Sequence, residues 1–463
     1  MEKSFPSDKD IQRIKESEEY KKLFDGLHDL VFNISDFFQK DLEKKRTLYV
    51  AMNLPAFISE YYADMIVGSG VFFDVEDKDI QEKINEFVKR NGLDVLLYEA
   101  SLAQSEYGYV PIRLRIENKE VIIEQIPNDQ YFPDWSNDIK PVLNGVTLAS
   151  YVEIGNGDEG EMFLYKEIYT KENNDKVYLE YQLWSVDSDG KQKTQVSTSK
   201  FNADLPEGKQ LTLFTEYPIY QINNIKTSDD NFGRSDYYNI YPQLKSINET
   251  ITQIHIELRK NLYSRIAVPQ GTLNDNGEIR ASEADIFEVG VGDKMPQYIQ
   301  KSNPLIEEAF REIEFFVRSI ASMTKIPVEA FGIEGKGGVE KVEAMRLRLF
   351  NTEKKVQRKR VYFEKQLEDM LSVALAVEGT KGASVNITWD DILPVSELEL
   401  TELLAMQVSS KLKSKRKAIK ELQGLDDDLL DAEIEEINNE QTVSTNSITE
   451  PTQPLTFQDI NQI

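Results

Sequence analysis

Hydrophobic positions recur at helical spacing through the first hundred residues and then switch to alternation. Ile11, Ile14 and Tyr20 mark one helix over 9–24, and Leu30, Ile34 and Phe38 mark a second over 27–43. A third is predicted from Leu54 to Val67, ended by the breaker Gly68-Ser69-Gly70, with two more over 77–91 and 93–106. From Tyr107 the period becomes two. Tyr109, Pro111, Arg113 and Arg115 fall on one face of a strand, and Val110, Ile112, Leu114 and Ile116 on the other. The turn Glu117-Asn118-Lys119 leads back through Val121–Ile126 as a hairpin. Further strands are predicted at 148–154, 162–170, 176–186 and 211–222, divided by Gly/Asn/Asp turns, so 107–225 reads as a β-rich unit.

Helix returns over 236–262, where Ile240, Leu244, Ile247, Ile251, Ile254 and Leu258 recur at spacings of 4, 3, 4, 3 and 4. At the α-helical rise this heptad-like seam runs for roughly 40 Å. A strand-and-turn insert over 265–302 follows. Asn303-Pro304 then opens a second helix with a cap and a first-turn proline, striped by Ile306, Phe310, Ile313, Val317 and Ile320. Two long helices around a small β insert can run antiparallel as a stalk, although any helical hairpin with a β insertion gives the same pattern. After Lys325-Ile326-Pro327, the glycine-rich loop Phe331–Gly338 feeds the longest helix, Val339 to about Val377, which lacks proline and glycine. A strand over 384–389 precedes short helices near 396–412, 414–423 and 426–438. Residues 441–463 are rich in Thr, Gln, Asn and Pro, with Glu450 and Asp459 as their charges, which is the composition of a disordered tail.

Composition narrows the chemistry. The 463 residues hold 81 acidic and 54 basic side chains, a formal charge of −27, which argues against a broad basic face for nucleic acid. Without cysteine the chain has no disulfides, thiolate metal sites or thiol nucleophile, as suits a reducing cytoplasm. Its two histidines, His28 and His255, are too few for poly-His zinc sites, and each reads as structural. No apolar run nears the roughly 20 residues of a membrane span, and the first twenty residues carry no apolar signal segment. The expectation is a soluble protein kept inside a cell, without a membrane partner. The loop Gly332–Gly338 fails as a phosphate-binding P-loop because Lys336 is followed by Gly337 rather than Ser or Thr. The acidic groups Asp229-Asp230, Asp390-Asp391 and Asp426–Asp428 fall in turns and helix starts, where negative charge offsets a helix dipole. No catalytic residue, metal ligand or cofactor is therefore assigned. A metal-dependent nuclease built from carboxylates is the rival from a different class.

Charge placement is more informative. Residues 341–360 hold eight cations, Lys341, Arg346, Arg348, Lys354, Lys355, Arg358, Lys359 and Arg360, against Glu343 and Glu353, leaving −33 for the rest. Such a helix faces phosphates or an acidic neighbouring subunit, or else is a solvated face with ion pairs inside the chain. Residues 411–420 hold six basic and no acidic residues, and 421–440 nine acidic and no basic ones. That segregation suits side-by-side subunits and suits intrachain pairing as well.

The order of these pieces resembles the portal proteins of tailed bacteriophages, in the type common to siphoviruses and prophages of Gram-positive hosts. Phe214–Asn223 followed by Phe232-Gly233-Arg234-Ser235-Asp236 looks like that family's approach to its first stem helix. The two long helices and their insert look like stem, clip and returning stem. Lys325–Phe331 with the glycine loop looks like the tunnel loop, and Trp389-Asp390-Asp391 after the long helix looks like the passage from wing to crown. The resemblance implies an α+β portal fold. Its parts are a wing over 1–235, a first stem helix over 236–264, a clip over 265–303 and a second stem helix over 304–324. A tunnel-loop region over 325–340, a long wing helix and strand over 341–395, crown helices over 396–440 and the tail over 441–463 complete it.

It further implies a ring, typically of twelve copies, at one capsid vertex, reached from the host cytoplasm during assembly. Double-stranded DNA would be packaged and ejected through it without sequence specificity. The implied partners are the terminase large subunit, a head-completion adaptor, and the major capsid and scaffolding proteins; another virion ring or adaptor protein is the runner-up. Gly332, Glu334, Gly335, Lys336, Gly337 and Gly338 would line the channel, and the 236–262 seam would pack on neighbouring stem helices.

Overall fold

The structure is a computed structural model. It describes residues 5–32, 48–68, 70–75, 77–155, 160–172, 176–187, 190–228, 230–262, 266–267, 297–298, 304–333, 342–380, 382, 384–390, 397–423, 430–431, 433–435 and 437. The chain divides into two compact units, Met1–Ile392 and Leu393–Ile463.

The first unit begins with α1 (Asp8–Phe24), whose N-cap Ser7 accepts a hydrogen bond from the Asp10 amide. α1 is polar and is anchored by single side chains. The guanidinium of Arg13 lies 5.8, 5.6 and 5.0 Å from the ring centroids of Tyr109, Phe132 and Phe232. It also donates to the carbonyls of Asn128 and Tyr131 at 2.9 and 2.7 Å. The short α2 (His28–Val31) carries His28, whose ring contacts the Leu23 carbonyl at 3.0 Å and the Asn248 amide nitrogen at 2.7 Å. Burial lowers the pKa of this imidazole.

Three helices follow: α3 (Leu54–Val67), α4 (Lys78–Asn91) and α5 (Leu93–Tyr107). β1 (Val71–Asp74), between α3 and α4, pairs antiparallel with the distant β15 (Asn386–Trp389). Gly108, at φ +86°, ends α5 and lets the chain turn into β2 (Tyr109–Glu117). β2 is the central strand of a three-stranded sheet, between β3 (Glu120–Gln125) and β10 (Ile219–Asn223). A six-stranded sheet follows the order β4 (Tyr131–Trp135), β5 (Leu143–Ile154), β6 (Glu161–Glu172), β7 (Lys176–Val186) and β8 (Gln192–Val196), and β9 (Lys209–Leu211) adds to β7. The neighbouring pairs β4–β5, β5–β6, β6–β7, β7–β8 and β7–β9 are all antiparallel. β11 (Ile225–Lys226) and β12 (Gly233–Arg234) form a small ribbon.

α6 (Tyr241–Leu262) and α7 (Pro304–Thr324) pack on one another. Between them, β13 (Ile266–Ala267) and β14 (Gln297–Tyr298) pair and draw the ends of the insert together. α8 (Val342–Val377) runs back over the body. One core joins these elements, with Ile58 and Tyr62 of α3, Leu97 of α5, Ile112 of β2, Leu244 of α6, Ile320 of α7 and Phe363 of α8 all fully buried. In the second unit, α9 (Glu397–Ser409) and α10 (Lys415–Gln423) bury Leu404 and Ala418. Its segregated charges pair within the chain, Lys413 with Glu421 and Arg416 with Asp431.

The mixed helix-and-sheet class is as the sequence reads, and so are most of its helices. The helix expected from residue 236 starts at Tyr241 instead, because Tyr238 and Ile240 close turns onto the carbonyls of Ser235 and Tyr237. β1, β4 and β8 are short strands without clear alternation, and the pattern does not reveal them. The strand expected over 211–222 splits into β9 and β10. Most of the helix expected over 27–43, nearly all of the insert, much of 426–438 and the whole tail lie outside the described residues.

Where β12 crosses the end of α5 the two backbones touch: a Cβ at Gly108 would stand 2.4 Å from the Gly233 carbonyl oxygen, and one at Gly233 would stand 2.1 Å from that of Gly108. The crossing sets the position of residues 235 and 236. Gly108→Ala should therefore cost about 2–4 kcal/mol in urea unfolding, from left-handed strain plus backbone overlap. A loss close to zero would show that the crossing relaxes freely.

Candidate functional site

α8 spans 36 residues and is two-faced. Thr352, Lys355, Val356, Lys359, Arg360 and Phe363 recur at helical spacing on its buried side. Three of these six are cations, so the body must supply their counter-charges and acceptors.

The supply comes chiefly from Asp236. Its side chain is 0 % exposed, with the Lys355 ammonium 2.8 Å from one carboxylate oxygen and the Lys359 ammonium 2.7 Å from the other. Ser105 Oγ donates to the same carboxylate at 2.7 Å, and the Asp236 amide donates to the Ser105 carbonyl at 3.0 Å. The ring of Tyr62 lies beneath both lysines, 4.2 and 4.8 Å from their nitrogens. Lys355 and the Tyr62 hydroxyl both donate to the Thr324 carbonyl at the end of α7. The cluster thus joins α3, α5, the turn before α6, the end of α7 and the middle of α8.

Its electrostatics follow from geometry. Burial opposes ionisation of Asp236, but the attraction of Lys355 and Lys359, with their hydrogen bonds, outweighs it and holds the carboxyl well below the usual range. With two lysines on one carboxylate, burial and the neighbouring Lys355 pull Lys359 down to about 8, against the attraction of Asp236. Arg360 does different work. It donates to the carbonyls of Met65 and Ile66 at 3.1 Å each, at the C-terminal end of α3, and to that of Asp390 at 3.0 Å.

These positions divide the basic helix, for which the sequence left open both a phosphate- or subunit-facing set and a face with ion pairs inside the chain. Lys355, Lys359 and Arg360 serve the interior, because their partners are buried in the same chain. Arg346, Arg348, Lys354 and Arg358 are exposed; Arg348 pairs with Glu329 at 3.0 Å and Lys354 donates to Gln357 at 3.1 Å. Lys341 lies outside the described residues, as do Glu334, Gly335, Lys336, Gly337 and Gly338. Gly332, at φ +77°, caps the short 3₁₀ turn Val328–Phe331.

The α6 seam is also turned inward. Ile240, Leu244 and Ile247 are fully buried in the chain's own core, Ile254 is buried, Ile251 packs on the same core, and Leu258 is 47 % exposed. The seam therefore packs mainly on its own chain rather than on a neighbouring stem helix.

Among the described residues no three His, Cys, Asp or Glu side chains are gathered as metal ligands would be, and no helix is long and apolar enough to cross a membrane. Sequence alone places Asp236 at the start of the helix expected over 236–262 and gives it no role; the structure buries it in the turn before α6. The signal available was the pair Lys355 and Lys359, four residues apart and in register with the buried Val356 and Phe363.

Residues 5–446 match the sequence model of a family of phage portal proteins. The family is the one described as phage portal protein, SPP1 Gp6-like, and the chain belongs to it. No curated protein matches the chain. Among solved structures, a chain from the neck of an empty gene transfer agent particle computed with C6 symmetry is 13 % identical, over 83 % of this chain and 93 % of that one, with a TM-score of 0.46. A chain from the neck of the native particle computed with C12 symmetry is 14 % identical, over 82 % and 92 %, with a TM-score of 0.43.

Two predictions follow from the ion cluster. Asp236→Ala should cost about 3–5 kcal/mol, since it strands two buried cations, and adding Lys359→Met should recover part of that loss in a double-mutant cycle. The second concerns pH. Above about 8 the folded chain releases the Lys359 proton while the unfolded chain, with an ordinary lysine near about 10.4, keeps it. The unfolded state then binds more protons, so this group's contribution to stability rises with pH across that window and falls away below it. Lys359→Met should lack that rise relative to the parent chain; identical pH profiles would contradict the assignment.

Proposed function

We propose that the chain is the subunit of a portal ring at one vertex of a phage capsid, the conduit through which double-stranded DNA is packaged and later ejected. The observation that carries this is the family match across residues 5–446, nearly the whole chain. The long helices agree with it. α6 and α7 correspond to the paired stem helices, with 265–303 as the clip that docks the terminase large subunit and then a head-completion adaptor. α8 corresponds to the long wing helix, with the glycine loop 332–338 reaching the channel. Twelve copies are proposed, with the ring also nucleating procapsid assembly together with scaffolding and major capsid proteins. The role is structural, and the packaging ATPase belongs to the motor.

Charge supports the conduit. Phosphate contacts dominate nucleic-acid affinity, so a channel through which DNA slides gains from an acidic chain, here −27 per copy. The inward use of Lys355, Lys359 and Arg360 strengthens this, because those cations are withdrawn from any DNA-facing surface.

Electron micrographs of the purified full-length chain should show annular particles with a central hole of DNA width. Monomers with divalent-dependent nuclease activity would overturn the reading. Deleting Gly332–Gly338 should leave the annuli intact and impair DNA packaging. Normal packaging in that deletion would remove the loop from the channel.

A further inference from the structure

The outward face of α8 is unaccounted for by the ion cluster. Leu347, Phe350, Lys354, Arg358 and Val361 recur at spacings of 3, 4, 4 and 3 and so share one face of the helix, opposite the buried one. Leu347 is 78 %, Phe350 52 % and Val361 60 % exposed, forming a stripe about 21 Å long at the helical rise. Lys354 lies 5.5 Å from the Phe350 ring centroid, and Arg358 is anchored on the Lys354 carbonyl at 3.3 Å, so the cations lie along the stripe. Large apolar side chains aligned in water with cations among them mark an interaction surface rather than a solvated face.

The chain carries a surface of opposite character on α7. Phe315 is 67 % exposed and Phe310 56 %. The exposed carboxylates Glu307, Glu308, Glu312 and Glu314 lie on the same helix; Glu308 and Glu314 pair with Arg311 and Arg318 at 3.0 and 2.6 Å, which leaves Glu307 and Glu312 as the surplus negative charge. One face is apolar and basic, the other aromatic and acidic, and they belong to different helices. Two copies could therefore join head to tail, the heterologous contact that generates rings when its rotation closes.

We propose that the Leu347–Phe350–Val361 stripe of α8 seats on the Phe310–Phe315 face of α7 in an adjacent copy and is a contact that builds the ring. This rests on the portal reading and specifies its self-association. DNA is the poorer occupant, because a phosphate backbone matches the two cations but leaves three large apolar side chains unmatched.

The absence of native cysteine makes the test direct. The full-length chain carrying both Phe350→Cys and Phe315→Cys, treated with a short bismaleimide, should give a ladder of covalent oligomers up to the ring, while each single variant stays monomeric on a denaturing gel. Leu347→Glu with Phe350→Glu should lower the ring fraction about tenfold or more in native mass spectra with unchanged circular dichroism, as removal of interface anchors does. Rings in the parent chain with no ladder, and undiminished rings in the charged variant, would overturn the proposal while leaving the portal reading standing. Dimers from Phe350→Cys alone would overturn the head-to-tail arrangement. Intact rings that lose DNA retention would assign the stripe to DNA instead. A parent chain that never assembles would remove the portal reading and this contact together.

Discussion

A carboxylate buried with two lysines ties together segments that lie far apart in the sequence, and the placement of the long helices depends on it. Asp236 stands just before α6, Thr324 closes α7, and Lys355 and Lys359 belong to α8, so both roots of the helical pair are fixed against the long helix at one point. Ions are a costly way to fill a core, and apolar residues of similar size often match or exceed them in stability. What the cluster supplies is register. A lysine one turn out of place would lose its carboxylate and bury an uncompensated charge, whereas a leucine core tolerates such slips. The glycine crossing at 108 and 233 and the Ser105 contacts hold Asp236 from behind, where α6 departs from the body.

The same cluster changes the meaning of the net charge. A −33 remainder and a +6 stretch look like an acidic body with one basic face. In the structure that stretch divides: part neutralises the interior and caps α3, and part lies outside beside exposed leucine, phenylalanine and valine. The first part fixes the register of the subunit's interior, and the second lies on the face proposed to meet another copy of the chain. An acidic surface with its cations spent in this way is compatible with the proposed conduit, through which DNA would pass without being held.

Much of the fold was legible because helices announce themselves through period. The runs in α3, α5, α6, α7 and α8 bury most of the residues their spacing selects, but Leu258 of α6 and Phe310 of α7 stand exposed; the β2–β3 hairpin turns at Asn118 and Lys119, both at positive φ. The orientation of the α6 seam was not legible. Ile240, Leu244 and Ile247 would read identically whether they met their own chain or a neighbour, since periodicity reports a buried face and not its occupant. Asp236 was hidden for a related reason. An acid at a helix start reads as solvated, and its burial arises only when Lys355 and Lys359 of α8 close on it. β1 was missed because its four residues acquire strand character from β15, more than three hundred residues away.

The proposed portal role requires this subunit to close into a ring of its own copies. Native mass spectrometry of the purified full-length chain tests it most directly. A ring gives one dominant closed species at an integer multiple of 53.3 kDa. A spectrum of monomers and isologous dimers at all concentrations would contradict it.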